Sequence, residues 1–527
     1  MGDHHGLPDN ISKTMSNDDL DKPQAVTVEL QRDAPAYIKS LSPEDRAARE
    51  KALVRKIDLR LIPTIVVIYI LNYLDRNNIA AARLAGLEDD LKLHGTQYQT
   101  AVSILFVGYL LMQVPSNLFM NKFGKPSIYL STAMVIWGAI SMATAGVQNF
   151  GGLIAVRFFL GFVEAVYFPG CVFFLSSWYT RKELGFRTAM LYSGSLLSGA
   201  FSGLIAAGIT DGMDGLHGLR AWRWLFIVEG GVTIGVALGA YFILPDFPST
   251  TAWLSDDEKT LAIWRLQEDI GEEDRTEDGQ DSLLYGAKLA FQDIKMWILM
   301  VILFCIVFSG SVTNFFPTVV ETLGYSKINS LLLTCPPYVL GVITAFVNAW
   351  HADRTGERYF HVTTPLYFAI LAFILAAATT ATAPRYVAMM LMIPGVYTGY
   401  VVCLGWISNT LPRPAPKRAA AIAAINAVSN TSSIFASYMF PASAAPRYVV
   451  AMSICCAMAG TAIIFATILR FILVRLNQKL DRGEFVEGAI NASSASTGGG
   501  GERRTSVLAS GGAVPTEAAT KGFRFLV

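Results

Sequence analysis

Charge is scarce in this chain. Asp, Glu, Lys and Arg make up only 16% of its 527 residues, while 53% are hydrophobic. An ordinary soluble domain carries about 25% charged residues, so a water-soluble fold is excluded at the outset. The net charge is +1 with no basic stripe, which argues against a nucleic-acid partner. Six cysteines (Cys171, Cys305, Cys335, Cys403, Cys455 and Cys456) show neither metal nor redox spacing and read as small apolar fillers. His94, His217, His351 and His361 fall in expected loops or at span ends, so a histidine proton relay is not expected. No nucleophile–base or metal constellation lies in the apolar stretches, and neither an enzyme nor a cofactor is expected. The sequence opens on a polar stretch, 1–56, rather than on a cleavable leader.

What is present is a series of apolar windows of about 20 residues, each long enough to span a bilayer. Six lie near 61–82, 98–119, 128–147, 152–175, 188–209 and 224–244. Six more lie near 297–319, 331–351, 362–382, 386–408, 419–440 and 449–473. The chain thus reads as an all-α membrane protein of twelve transmembrane helices in two six-helix bundles, the shape of a secondary transporter. Its parts are a cytosolic tail (1–56), a bundle (57–244), a cytosolic linker (245–295), a second bundle (296–475) and a disordered tail (476–527). Basic residues concentrate in the short loops on the side of the two ends, which places both termini in the cytosol of a multi-pass protein. In the linker, Ser255-Asp-Asp-Glu258 is a capping box ahead of an amphipathic run, read as an interfacial helix bridging the bundles. Gly231, Gly235 and Gly239 at four-residue spacing predict close helix packing.

Against this background, charges inside the spans stand out. Arg157 and Glu164 in the fourth window are two helical turns apart and share a face. A charge at the bilayer centre costs about 2.5–3.5 kcal/mol even on lenient scales, so this face should point into protein or water with partners. In the first window Tyr69, Asn72, Tyr73 and Arg76 form one polar and aromatic stripe, with Asp75 close beside it. Elsewhere Tyr192, Asn314, Tyr397 and Asn426 are aromatic and amide groups suited to gripping a small ring or amide. Phe168-Pro169-Gly170 predicts a bend in the fourth span.

Two loops at corresponding places in the halves are alike: Asn117-Leu-Phe-Met-Asn121-Lys122-Phe-Gly124-Lys-Pro126 and Ala349-Trp-His-Ala-Asp353-Arg354-Thr-Gly356-Glu-Arg358. Both resemble the G-x-x-x-D-R-x-G-R-R loop of the major facilitator superfamily, though Asn117 and Ala349 replace its leading Gly and Asn121 its Asp. They read as inner hinges and charge clamps rather than ligand sites. Three other stretches resemble the anion:cation symporter branch, and within it fungal allantoate, nicotinate, pantothenate and biotin permeases. These are Asn72-Tyr-Leu-Asp75-Arg76-Asn-Asn-Ile79, the stretch from Arg157 through Ser177-Trp-Tyr179, and Trp222-Arg-Trp-Leu-Phe-Ile-Val-Glu-Gly230. The resemblance spans about 55–475. It implies proton-coupled symport of a small organic carboxylate, most naturally by a monomer at the plasma membrane. It also implies that Asp75 and Glu164 take up protons while Arg76 and Arg157 hold the substrate carboxylate or its acidic neighbours. An exporter of a small acidic metabolite or drug, and a non-transporting nutrient sensor, are the alternatives.

Overall fold

The computed structural model describes residues 34–123, 125–270, 283–411, 415–482, 484, 486 and 524–527. Among these residues there is no strand, and ten helices are long and apolar enough to cross a membrane. Helix α1 (Pro43–Leu84) is capped by Ser42, whose Oγ accepts the Asp45 amide at 3.1 Å, with Pro43 at the first helical position. At 1.5 Å per residue its 42 residues extend about 63 Å, twice a hydrocarbon core, so the charged first turns project beyond the membrane. There follow α2 (Gln97–Phe123), α3 (Pro126–Thr144), α4 (Phe150–Glu164), α5 (Tyr167–Ser176), α6 (Arg181–Gly212) and α7 (Ala221–Ile243). The linker carries α8 (Asp256–Ile270) and α9 (Leu283–Gln292). The second half comprises α10 (Ile294–Gly310), α11 (Phe316–Glu321), α12 (Lys327–Leu332), α13 (Cys335–Thr355), α14 (Tyr359–Ala378), α15 (Thr382–Thr410), α16 (Ala415–Ala436) and α17 (Val449–Asp481). The windows at 98–119 and 152–175, outside the ten, fold as α2 and as the α4–α5 pair, compatible with twelve crossings.

The fourth span is broken at Ala165–Val166. Pro169 has no amide hydrogen to give the Ala165 carbonyl, so the helical ladder cannot continue through that turn. Where the sequence predicts a bend at 168–170, the structure has an interruption of the helix a turn earlier, directly after Glu164, with Ala165 and Val166 still in the right-handed helical region.

In the first half α1 packs on α6 and α7, α3 on α4 and α7, and α2 on α4. In the second, α10 packs on α16 and α17, α13 on α15, and α14 on α15 and α17. The halves meet where α2 crosses α16 and where α6 crosses α12 and α13. Phe242, Phe471 and Phe435 lie exposed on the outer faces, as side chains facing lipid would.

Three expectations are corrected. The linker does not carry a single bridging helix. Helix α8 packs under the first half, through Glu258 to Lys56 at 2.8 Å and Arg265 to Glu183 at 2.5 Å, whereas α9 packs on α10 and α16 of the second half. The region 476–527 is not uniformly a disordered tail. Helix α17 continues to Asp481, and residues 524–527 dock onto the second half, where Phe525 is buried. Gly231, Gly235 and Gly239 have nothing within 4 Å of where a Cβ would stand. Close packing falls at other glycines, among them Gly161 on α4, where a Cβ would lie 2.0 Å from the Leu105 carbonyl oxygen, and Gly199 and Gly203 on α6, where it would lie 2.3 Å from the Tyr338 ring and 2.2 Å from the Thr334 hydroxyl.

Candidate functional site

Between the halves lies a cavity of about 90 Å³, walled by α1, α2 and α6 on one side and by α10, the turn 311–315, α13, α15 and α16 on the other. Typical ligand pockets measure about 300–1,000 Å³, so this one is contracted around the space a small molecule would need. Of the expected site residues, Tyr73, Arg76, Tyr192, Asn314 and Tyr397 line it, together with Asn77, Phe106, Thr313, Tyr338, Tyr400 and Asn430. On the face bearing the linker, Tyr192 and Tyr400 close the floor with ring centroids 4.9 Å apart. On the far face Gln99 donates to the Phe440 carbonyl at 3.2 Å and Ser103 to that of Ile434 at 3.0 Å, joining the halves there.

Among the described residues Arg76 is the one charged side chain in the cavity lining. Its guanidinium sits 4.9 Å from the Tyr73 ring centre and 4.8 Å from that of Tyr109, and Nε donates to Glu164 Oε2 at 3.0 Å. The aromatic faces fix the cation in place without neutralising it. Glu164 is fully buried behind Arg76, and its Oε1 has no hydrogen-bond partner.

The other expected residues lie outside the lining. Arg157 is buried and donates to the carbonyls of Ala101 (3.4 Å) and Arg76 (3.3 Å), leaving one terminal nitrogen unpartnered. It borders a much smaller space beside Asn314. Asp75, adjacent in sequence to Arg76, faces the opposite way: it accepts from Ser141 at 2.6 Å and Thr233 at 2.9 Å, between α1, α3 and α7. Tyr69 is buried behind the cavity, stacked at 5.6 Å on Phe168. Asn72 is buried with its amide nitrogen unpartnered, and Asn426 accepts from Asn430 at 3.2 Å.

In the second loop motif Gly356 takes a left-handed φ of 69° at the end of α13, Arg358 donates to Asp353 at 2.7 Å, and Arg354 lies 5.5 Å from the Trp350 ring. In the first motif Asn121 and Lys122 belong to α2, but their side chains, like Gly124 itself, lie outside the described residues.

The sequence reading passed over Glu229, which stands within the Trp222–Gly230 stretch and is 3% exposed on α7 with neither carboxylate oxygen hydrogen-bonded. It lies eight residues past the start of α7, about 12 Å along the helix, and that depth was the available signal.

A helical membrane protein with a small polar-lined cavity between two packed halves has the architecture of a transporter. The Major Facilitator Superfamily profile matches residues 65–437, and the chain belongs to that superfamily. It is 35% identical over 445 residues to the uncharacterized transporter C1683.12 of Schizosaccharomyces pombe, covering 83% of this chain and 90% of that protein. It is 34% identical over 390 residues to the MFS-type transporter cnsO of Penicillium expansum, covering 71% and 74% of the two chains. Among solved structures, the proton:xylose symporter XylE bound to 6-bromo-6-deoxy-D-glucose has a TM-score of 0.59 at 17% identity, over 77% of this chain and 94% of that one. A bacterial homolog of the human lysosomal transporter Spinster, inward-facing and occupied, has a TM-score of 0.58 at 14% identity over 78% and 96%. The protein is a membrane transporter of this superfamily.

Proposed function

We propose that this transporter carries a small organic carboxylate inward across the plasma membrane together with protons, by alternating access and with both termini in the cytosol. The observation that carries the reading is the placement of Arg76: a lone permanent cation in an otherwise uncharged cavity, already paired with a buried acid. A guanidinium holds a carboxylate through a bidentate fork and keeps its charge throughout a transport cycle. A substrate carboxylate at Arg76 competes with Glu164 for the same nitrogens. When Arg76 turns to the substrate, Glu164 loses its hydrogen-bonded counter-charge in a buried site, at a cost of several kcal/mol. Taking up a proton removes that cost, so anion and proton load together. Release of the anion lets Arg76 return to Glu164 and expels the proton. Asp75, away from the cavity, supplies a second acid for the cycle, and Arg157, buried beside α1, sets the charge balance around Glu164. Tyr73, Tyr192 and Tyr397 offer faces and hydroxyls to the rest of the substrate.

The test is uptake of labelled nicotinate, pantothenate, biotin, allantoate and simple dicarboxylates into permease-deleted cells at two external pH values. Accumulation of one of them that rises on acidification supports the reading. No uptake of any, with raised export of an acid, overturns it in favour of efflux.

A further inference from the structure

The cavity accounts for Arg76 and Glu164 but leaves a second buried acid pair unexplained. Asp75 on α1 is fully buried, and Glu229 on α7 is 3% exposed. Asp75 has a donor for each oxygen, Ser141 from α3 and Thr233 from α7, as an ionised carboxylate requires. Glu229 has no hydrogen bond on either oxygen, and Asn78, fully buried on α1, has neither amide atom satisfied. Asp75 is the charged group that acts on Glu229 among the described residues, and Asn78 is the polar group set against it. Glu164 and Arg157 on α4 act electrostatically on Asp75, but Arg157 spends its hydrogen bonds on backbone carbonyls and Arg76 spends its Nε on Glu164. Among the described residues no basic side chain hydrogen-bonds to either acid of this pair.

Two neighbouring carboxylates buried this deeply, with no basic side chain among the described residues bonded to either, do not both ionise. The donors fall on Asp75, so the missing hydrogen belongs on Glu229, where a protonated carboxyl would have the Asn78 amide oxygen as acceptor. We infer that Asp75 and Glu229 form a second proton site between α1, α3 and α7, holding a single proton on Glu229 beside an ionised Asp75, outside the cavity and separate from Glu164. Its place in a cycle rests on the proton coupling proposed above. Because α1, α3 and α7 belong to one half of the molecule, this proton travels with that half. One proton on Glu164 and one on this pair would make entry of a monoanion electrogenic.

The test needs no substrate, so its failure is distinct from failure of the anion reading. Infrared absorption of the purified full-length protein at neutral pH should show the carbonyl stretch of a protonated carboxyl in a dry environment. Glu229→Gln should remove the area of a single carboxyl, while Glu164→Gln leaves that component in place. Should Glu229→Gln not yield monodisperse protein, Asn78→Leu should shift the same component by removing its acceptor. The inference is overturned by a spectrum without the component, by one that Glu229→Gln or Asn78→Leu leaves unchanged, or by one that gains the component only when sodium chloride is replaced by choline chloride. The last result would assign the pair to a metal ion.

Discussion

Nε of Arg76 donates to Oε2 of Glu164 across 3.0 Å, tying the first span to the fourth at the residue where the fourth helix ends. The pair lies between the cavity and the break at Ala165–Val166, so an event at the cavity wall and a change in helix direction share one contact. Glu164 is buried and Arg76 reaches the cavity, which gives the two partners different access to a ligand.

Removing either partner should therefore have unequal consequences. Arg76→Ala leaves a buried acid unpaired, and breaking a buried pair in this way costs about 3–5 kcal/mol. The double variant Arg76→Ala/Glu164→Gln removes both charges and should recover most of the loss. Thermal unfolding of the detergent-purified proteins measures this; equal melting points for the single and double variants would show that Glu164 is not held by Arg76. In cells, Glu164→Gln should abolish pH-driven accumulation of a transported carboxylate while retaining exchange across the membrane.

The far-face closure depends on small residues of α6. A Cβ at Gly203 would stand 2.2 Å from the Thr334 hydroxyl and 2.6 Å from the Leu331 carbonyl, too close for backbone that cannot yield. Gly203→Leu should hold α6 away from α12 and α13 and favour a state open on that face. A cysteine introduced at Asn314, which lines the cavity, should then react several-fold faster with an impermeant thiol reagent applied from the far side. An unchanged rate would mean that the closure is maintained by the α2–α16 contacts alone.

Much of this arrangement is legible in the sequence. Apolar windows report the spans because a bilayer imposes a minimum length on any crossing helix, and Pro169 reports the break because a proline has no amide hydrogen to give the preceding turn. Tyr73 and Arg76 are legible as cavity residues through their shared helical face. Asp75 is not, because a 100° step between neighbours suffices to send one side chain to the cavity and the other into the packing of α3 and α7. The glycines of α7 mislead for a related reason: spacing reports a small-residue stripe, whereas only the neighbouring helix decides whether anything approaches it. The docking of residues 524–527 has no local signature at all, since its partners lie as far away in sequence as Lys295 and Arg358.

Acidification should loosen the linker helix at low pH. Glu258 is partly buried, which by itself would raise its pKa, but its hydrogen bonds to Lys56 and to Ser255 outweigh that and hold it below the ordinary glutamate value. A folded-state pKa below the unfolded one gives a contribution that is complete above the unfolded value, about 4.3, and lost as pH falls through the lower folded value. Hydrogen exchange in α8 should be indifferent to pH between neutrality and about 5 after correction for intrinsic rates, then rise on further acidification. Lys56→Met should remove that acid-sensitive phase. The effect should be small, because the pair is open to solvent.

The segment 524–527 should protect the loop between α13 and α14. The Arg358 amide, at the start of α14, has no partner within its own helix and donates to the Val527 carbonyl at 2.7 Å. The Trp406 indole donates to the Leu526 carbonyl at 2.9 Å, and Asn477 clasps Phe525 with two bonds of 2.9 Å. Phe525 itself is 2% exposed, with the Lys295 ammonium 4.9 Å from its ring centre. Truncating a core phenylalanine costs about 3–5 kcal/mol, but a segment free to leave loses no more than its docking free energy. Phe525→Ala should therefore release the segment with little change in overall melting temperature. The release should appear as faster hydrogen exchange at Arg358 and in the last turns of α17, with the first half unaffected. Unaltered exchange at Arg358 would mean that the loop is protected by its own Asp353–Arg358 pair, and the double variant with Asp353→Ala would then be needed to open it.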